Sequence, residues 1–424
     1  MEPILVYASS SSAAVNSAAT RSSGSTVGVS LYSVHKGLPN LSSKCNPAPA
    51  PPRCTTPRCK QVQQIVIQLS PRALPVTFRN VPAPPSGTTC ALSDILAPMA
   101  GVRVGIIGTG FGARVVAPTF SGAGLDVVDV VSPRDDAAVV ALCTRTDIGL
   151  VSVHSPPFMH ATHVQWALDA GHAVLCDKPF GRSAEEAAAM VAAADEAGAL
   201  NMLNFEFRHE PARVRVKQML DDGAIGTPEH LQWSALTSGS RIPLRRYGWL
   251  FDRSLGGGWL GAWGSHTIDA VRWLLGEVTA AGAYNRVTIT ERPDRDGVMR
   301  ACDAEDAFTG WMTVEGGATV GIDTSFASTV TLPTHIVICG SEGTIDITND
   351  HRIVLRRTDG TKDEIELPAR TGDPHAGALG AWAGVVADAV ASGRQVAPSF
   401  ADGLACRRVL DAMLAGWEGR RLAP

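Results

Sequence analysis

From Val102 onward, short apolar runs alternate with helical periodicities. Val102–Ile107 reads as a strand, a glycine-rich turn follows, a helix spans Ala113–Phe120, and Val127–Val131 is apolar again. The pattern continues with strand Gly149–Val153, helix His160–Ala170, strand Ala173–Cys176, helix Ala184–Gly198, strand Asn201–Phe205 and helix Ala212–Asp222. Near-continuous apolar strands separated by amphipathic helices predict βαβ units around a parallel sheet. After Thr227 the period shortens to two. The runs His230–Ala235, Ala280–Thr290, Ala307–Val314, Ala318–Ser325, His335–Cys339, Thr344–Thr348 and Arg352–Arg356 predict a mainly antiparallel sheet, interrupted by a helix over Ser265–Leu275. Two closing helices are expected near Leu379–Ser392 and Ala401–Glu418. The fold class is therefore α/β: a parallel dinucleotide-type domain over 99–226, then an α+β domain with an open-faced sheet over 227–424, its last helices packing back on the first.

The first 98 residues differ. They are rich in Ser and Ala, then in Pro and Cys, and carry eight Lys/Arg against only Glu2 and Asp94. That composition does not build a core, and it predicts either a disordered organelle (plastid) transit segment or an overextended start, with Met99 favoured as the functional first residue and a cytoplasmic enzyme behind it. The whole chain has a net charge of −4, so everything after residue 98 carries −10. An acidic body gives nucleic-acid binding no electrostatic support. No run approaches the ~18 apolar residues needed to span a membrane. Nine cysteines are scattered, and Cys54 with Cys59 lacks the second pair of a zinc site, so reduced thiols and no metal are expected.

The chemistry sits at strand ends. Gly108-Thr109-Gly110-Phe111-Gly112-Ala113 follows a strand and opens a helix, the GxGxxA form of the dinucleotide fingerprint, in which small residues let backbone approach a pyrophosphate. The second strand ends in Ser132-Pro133-Arg134 where an acid would hold a ribose 2′-hydroxyl. A hydroxyl and a guanidinium suit a 2′-phosphate, which leans the cofactor toward NADP over NAD. Ser155-Pro156-Pro157, with His160 beyond, ends the next strand, and Asp177-Lys178-Pro179 the one after. Lys178 brings an ammonium to the cofactor cleft, and Trp249, Trp259 and Trp263 offer ring faces to a sugar.

Together these motifs, with Phe207-Arg208 and Pro211 and with Gly256-Gly257-Gly258-Trp259-Leu260 before Gly264-Ser265-His266 and Asp269, resemble the Gfo/Idh/MocA oxidoreductases from Val102 to the C-terminus. The resemblance implies a Rossmann domain, Lys178 contacting nicotinamide ribose and substrate, and His266 as general base on the substrate hydroxyl. Cofactor contacts are expected as well from Ser155, Pro156, Pro157, His160, Asp177 and Arg208. Histidine titrates near neutrality, as such a base must. Two departures stand out: Asp177 replaces the usual Glu, and Ala262 stands where many sugar dehydrogenases of the family place an Asp four residues before the His. The expected function is hydride transfer between NAD(P) and a sugar, inositol or polyol. An NAD-retaining glycosidase and a non-catalytic cofactor-binding regulator are the alternatives. A homodimer or homotetramer through the open sheet is also expected.

Overall fold

The structure, a computed structural model, describes residues 101–368 and 370–416, besides the two-residue strands Ala19–Thr20, Thr26–Val27, Val66–Ile67 and Val76–Thr77. The expected transit segment, Met99, Cys54 and Cys59 lie outside the described residues.

Five strands form a wholly parallel sheet: β1 (Arg103–Ile107), β2 (Asp126–Val131), β3 (Leu150–Val153), β4 (Ala173–Cys176) and β5 (Asn201–Leu203), in the order β2-β1-β3-β4-β5. Strand order reverses between β1 and β3, and the crevice above that switch point is where open α/β sheets bind ligands. A π-helical turn, Gly112–Val116, leads into α1 (Ala117–Gly122). Then come α2 (Asp136–Cys143), α3 (His160–Asp169), α4 (Ala184–Ala197) and α5 (Pro211–Asp221). Three of them start for a local reason: Asp135 accepts from Ala138 N at α2, Ser183 from Glu186 N at α4, and Pro211 opens α5.

The second half forms an eight-stranded sheet from β6 (Pro228–Leu236), β7 (Val278–Arg286), β10 (Ala307–Val314), β11 (Thr319–Ser325), β12 (His335–Gly340), β13 (Gly343–Thr348), β14 (Arg352–Arg357) and β15 (Lys362–Glu366). The small hairpin β8 (Glu291–Pro293) and β9 (Met299–Ala301) stands apart from it. The order is β7-β10-β11-β6-β12-β13-β14-β15, antiparallel throughout except where β6 pairs β11 in parallel. That one pair follows from topology: α6 (Ser265–Leu275) is part of the long connection that separates the two strands, so the chain can return in the same direction.

Two closing helices, α7 (Ala376–Ser392) and α8 (Phe400–Leu414), tie the halves together. From α7, Leu379, Trp382, Ala383 and Val386 share one core with Val104, Ile106, Val116 and Phe120. Helix α8 starts on a Ser399/Asp402 capping box and packs on α4 and β7. Residues of α1 and α7 thus cover one face of the parallel sheet. No described helix is long and apolar enough to cross a membrane.

Candidate active site

A cavity of about 900 Å³ opens above the carboxyl ends of β1, β3 and β4 and runs toward the second sheet. Gly108, Thr109, Gly110 and Phe111 line one end, with Ser132 and Arg134 beside them. Gly108 has φ +149°, and a Cβ there would sit 2.6 Å from the His154 carbonyl oxygen, so only glycine fits. At Gly110 the same test meets nothing within 4 Å, which leaves bare backbone facing open space. That is the cradle a pyrophosphate needs, and the residues present fit a dinucleotide. Gly112 and Ala113 are not in the lining. Gly112 instead brings the helix against the strand, its Cβ position 3.1 Å from Ile106 and 3.3 Å from His154.

Ser155, Pro156 and Pro157 line the middle of the cavity, with Asp177, Lys178 and Pro179 opposite. His160 does not reach it. That ring is fully buried and its Nε2 holds the Ser155 carbonyl at 2.7 Å, while His163 Nδ1 meets Ser155 Oγ at 3.0 Å. Both histidines brace the loop rather than touch a ligand, which corrects the cofactor contact expected of His160. Burial pushes the imidazole of His160 down, and that of His163 to about 4.

Asp177 is tied from three sides. His154 Nδ1 lies 3.1 Å from Oδ2, while the Lys178 amide at 2.9 Å and Asn204 Nδ2 at 3.4 Å reach Oδ1. Burial favours its neutral form, but the hydrogen bond from His154 and the charges of His154 and Lys178 overcome this and hold the carboxyl well below its ordinary range. The shorter acid therefore still braces the Lys178–Pro179 turn, whose peptide is cis. Lys178 Nζ donates to the carbonyl of Ala262 at 2.8 Å. So the position that lacks the family's Asp contributes backbone instead of carboxylate.

Ala262 belongs to a second π-helical turn, Leu260–Gly264, which leads into α6. The glycine run before it is forced by contact. Gly258, at φ +117°, has no room for a Cβ, which would fall 2.1 Å from Glu305 Oε1, and that same oxygen accepts from Leu260 N at 3.0 Å. His266 follows on α6, 6% exposed and lining the cavity. Neither of its ring nitrogens has a hydrogen-bond partner among the described residues. Burial first, then the charges of Lys178, His375 and Arg213, hold its imidazole well below the usual histidine value. It is neutral at physiological pH, as a proton acceptor must be.

An acid does stand beside this histidine, and sequence reasoning missed it. Glu206, fully buried in the turn Glu206–His209 after β5, has Oε1 3.9 Å from His266 Nε2 and 2.6 Å from His375 Nδ1. Its one signal was position, an acid inside Phe205-Glu206-Phe207-Arg208 immediately past a strand end. Donor atoms of Glu206, His266 and His375 all lie within 4.8 Å of one another, a set that could ligate a metal ion. Two cations, Lys178 and Arg213, already act on His266 and oppose a third.

Arg208 is the second correction. Rather than facing the cofactor, it is absent from the lining, and its guanidinium is committed to Asp269 at 2.5 and 2.9 Å and to Asp402 at 2.8 Å. This buried pair joins α6 and α8, so Asp269 also serves structure. Trp249, Trp259 and Trp263 all line the second-domain end, joined there by Trp233, which periodicity had hidden as an ordinary strand residue, and by Phe326, just past the end of β11.

Two family models match the chain: an oxidoreductase-family NAD-binding Rossmann fold over residues 102–205 and a GFO/IDH/MocA C-terminal domain over 214–346. The chain belongs to the GFO/IDH/MocA oxidoreductase family. Within that family it is similar to levoglucosan dehydrogenase of Pseudarthrobacter phenanthrenivorans, 28% identical over 63% of this chain and 77% of that protein. D-apiose dehydrogenase of Paraburkholderia graminis is 32% identical over 55% of this chain and 59% of that protein. Inositol 2-dehydrogenase 3 of Saccharopolyspora erythraea is 25% identical over 76% and 95%. A solved levoglucosan dehydrogenase, complexed with NADH and levoglucosan, shares the fold at a TM-score of 0.67 and 23% identity, covering 74% of this chain and 96% of that one. As a family member the chain is an NAD-binding oxidoreductase with a Rossmann domain and a mostly antiparallel second sheet.

The buried neutral histidines have a consequence for stability. An imidazole whose folded pKa is depressed binds its proton more readily in the unfolded chain, so stability is intact above about pH 6.5 and falls as pH drops below it. His160, His163 and His266 act in the same direction, each contributing a slope of up to about 1.4 kcal/mol per pH unit. Thermal melts at stepped pH should show the melting temperature declining below about pH 6.5. A melting temperature level down to about pH 4.5 would show that these rings are not held neutral.

Proposed function

We propose that this chain exchanges a hydride between NAD(P) and a hydroxyl or carbonyl carbon of a sugar, inositol, polyol or related compound. The observation that carries this reading is the convergence of Lys178 and His266 on one cavity that begins at the glycine turn. The dehydrogenase names of its relatives support the substrate class.

When bound along Gly108–Phe111, the dinucleotide supplies the hydride acceptor or donor. Everything else falls to the protein. His266, neutral and orphaned, takes the proton of the substrate hydroxyl as the carbon is oxidised. Glu206 accepts from His266 Nε2–H once the 3.9 Å gap closes, which leaves Nδ1 free as the base. Lys178, positioned by the Ala262 carbonyl, offers its charge to the oxygen on which negative charge develops. The stacked Trp259 and Trp263, ring centroids 5.8 Å apart, give the apolar face of a sugar a platform that excludes water.

NADP is the cofactor this reading favours. Arg134 and Ser132 border the cavity, whereas the next acid in sequence, Asp135, spends its carboxylate capping α2. Assembly through the open sheet is part of the same reading, since Tyr284 and Trp311 are exposed on adjacent strands.

Absorbance of NAD(P)H, measured with NAD or NADP against sugars, inositols and polyols, tests the function. Turnover is expected, with NADP preferred. Arg134→Ala should lower kcat/KM for NADP by about tenfold or more and leave NAD almost unchanged, the loss expected for one charge-assisted contact. Equal losses with both cofactors would remove the 2′-phosphate assignment. Cofactor binding without NAD(P)H formation on any substrate would favour the glycosidase or regulator alternatives.

A further inference from the structure

A row of rings and guanidiniums runs along one wall of the cavity, from the second domain to Arg213 and Phe207 of the first. Arg245 lies over Phe326, its Cζ 5.4 Å from the ring centroid. Phe326 stacks on Trp259 at 4.1 Å, and Trp259 on Trp263 at 5.8 Å. Trp263 meets Trp233 edge-on at 5.9 Å, and Arg213 sits over both Trp233, at 5.2 Å, and Phe207, at 5.0 Å. Phe207 in turn touches the ring of His266, with centroids 4.6 Å apart. Arg213 is therefore one ring away from the proposed base.

Arg213 is 8% exposed, and its Nε and Nη2 reach Asp350 at 3.2 and 3.1 Å. Its Nη1 is buried with no partner among the described residues. A buried charged donor left unmade is costly, and an incoming acceptor removes that cost. Arg370, also in the lining, shares the same Asp350 at 2.9 Å. Two guanidiniums thus face one carboxylate, and the next acid, Glu210, lies 3.7 Å from Arg370 and is pushed by burial toward its neutral form. The Lys178 ammonium is matched by Asp177 beside it, while with Arg245 added three guanidiniums at this end of the cavity face Asp350 and Glu210. A neutral sugar has no use for that charge.

We propose that the substrate is anionic, a sugar or polyol derivative bearing a carboxylate that is received by Arg213 Nη1 with Arg370 beside it. This deepens the hydride-transfer reading and rests on it. One free Nη1 suits a single carboxylate oxygen better than the three oxygens of a phosphate ester. The intervening Phe207 places the carboxylate within about one sugar ring of the reacting hydroxyl.

Quenching of tryptophan fluorescence reads binding without turnover, because Trp233, Trp259 and Trp263 form the wall. Full-length protein with cofactor would be titrated with glucose, gluconate, glucuronate and glucose 6-phosphate. At least one of the acids should bind tenfold or more tightly than glucose, and the advantage should shrink with added salt. Arg370→Gln, at an exposed position, should weaken the acid about tenfold and glucose hardly at all. Arg213→Lys, which keeps the charge but not the fork, should do the same, with circular dichroism confirming the fold of both variants. Equal affinity for glucose and the acids, or preference for the phosphate ester, would overturn the proposal. If an acid binds and no NAD(P)H forms, the redox reading fails and the anion site stands. If a neutral sugar is oxidised while acids neither bind nor react, the reverse holds.

Discussion

Lys178→Met is expected to reduce turnover by about a thousandfold or more. The reason is where its charge sits. Nζ is pinned by the Ala262 carbonyl at 2.8 Å, at the edge of the cavity where a substrate oxygen would become negative. One preorganised donor to such an oxygen contributes about 10²–10³ in kcat, and a full positive charge in a water-poor site contributes more. Methionine preserves the apolar stem and removes only the ammonium. Lys178→Arg is a stricter control, since a planar fork cannot replace a point charge held by one carbonyl. Single-turnover NAD(P)H absorbance, with cofactor titration to show that the dinucleotide site persists, is the measurement. Turnover within about threefold of the native chain would remove Lys178 from the reaction centre.

The second large effect concerns the base and the acid behind it. His266→Ala should cost about 10²–10⁴ in kcat, the usual contribution of a positioned proton acceptor. Glu206→Gln should cost less, about tenfold to a hundredfold, and should fall on kcat with KM nearly unchanged, because Glu206 touches His266 and His375 rather than the ligand. The isosteric amide keeps the shape of a fully buried side chain, which protects the fold. A purely structural role would give independent losses. If Glu206 acts through His266, the double variant Glu206→Gln with His266→Ala should be no slower than His266→Ala alone. Additive losses in that cycle would place Glu206 outside the chemistry. The pH profile adds a further check: with its imidazole held well below the ordinary value, His266 should keep kcat/KM level from neutrality through about pH 6.

The route from sequence to site was uneven for physical reasons. Alternation of apolar strands and helices, the glycines of Gly108–Gly112 and the strand-end position of Lys178 are local properties, each set by periodicity, backbone freedom or chain direction. Together they bring Lys178 into the cavity that begins at the glycine turn. The sequence by itself therefore determined the α/β architecture, the parallel sheet with its cofactor cradle, and the ordered motifs of the family. Helix α6 was read with its observed ends, Ser265 and Leu275.

What a side chain finds across the fold is another matter. His160 and Arg208 sit within the motifs yet point away from the cavity, one bracing the Ser155 carbonyl and the other paired with Asp269 and Asp402. Sequence distance hid those partners: Asp402 lies 194 residues from Arg208. The same holds for the missing carboxylate. Ala262 seemed to leave His266 without an acid, but Glu206 and His375, 169 residues apart, meet beside it because α7 folds back on the first domain. Periodicity reports which face of an element is buried and not which atoms meet there. Only the tertiary structure could place Glu206 beside His266 and gather the guanidiniums around Asp350, since contacts between distant segments are decided by packing.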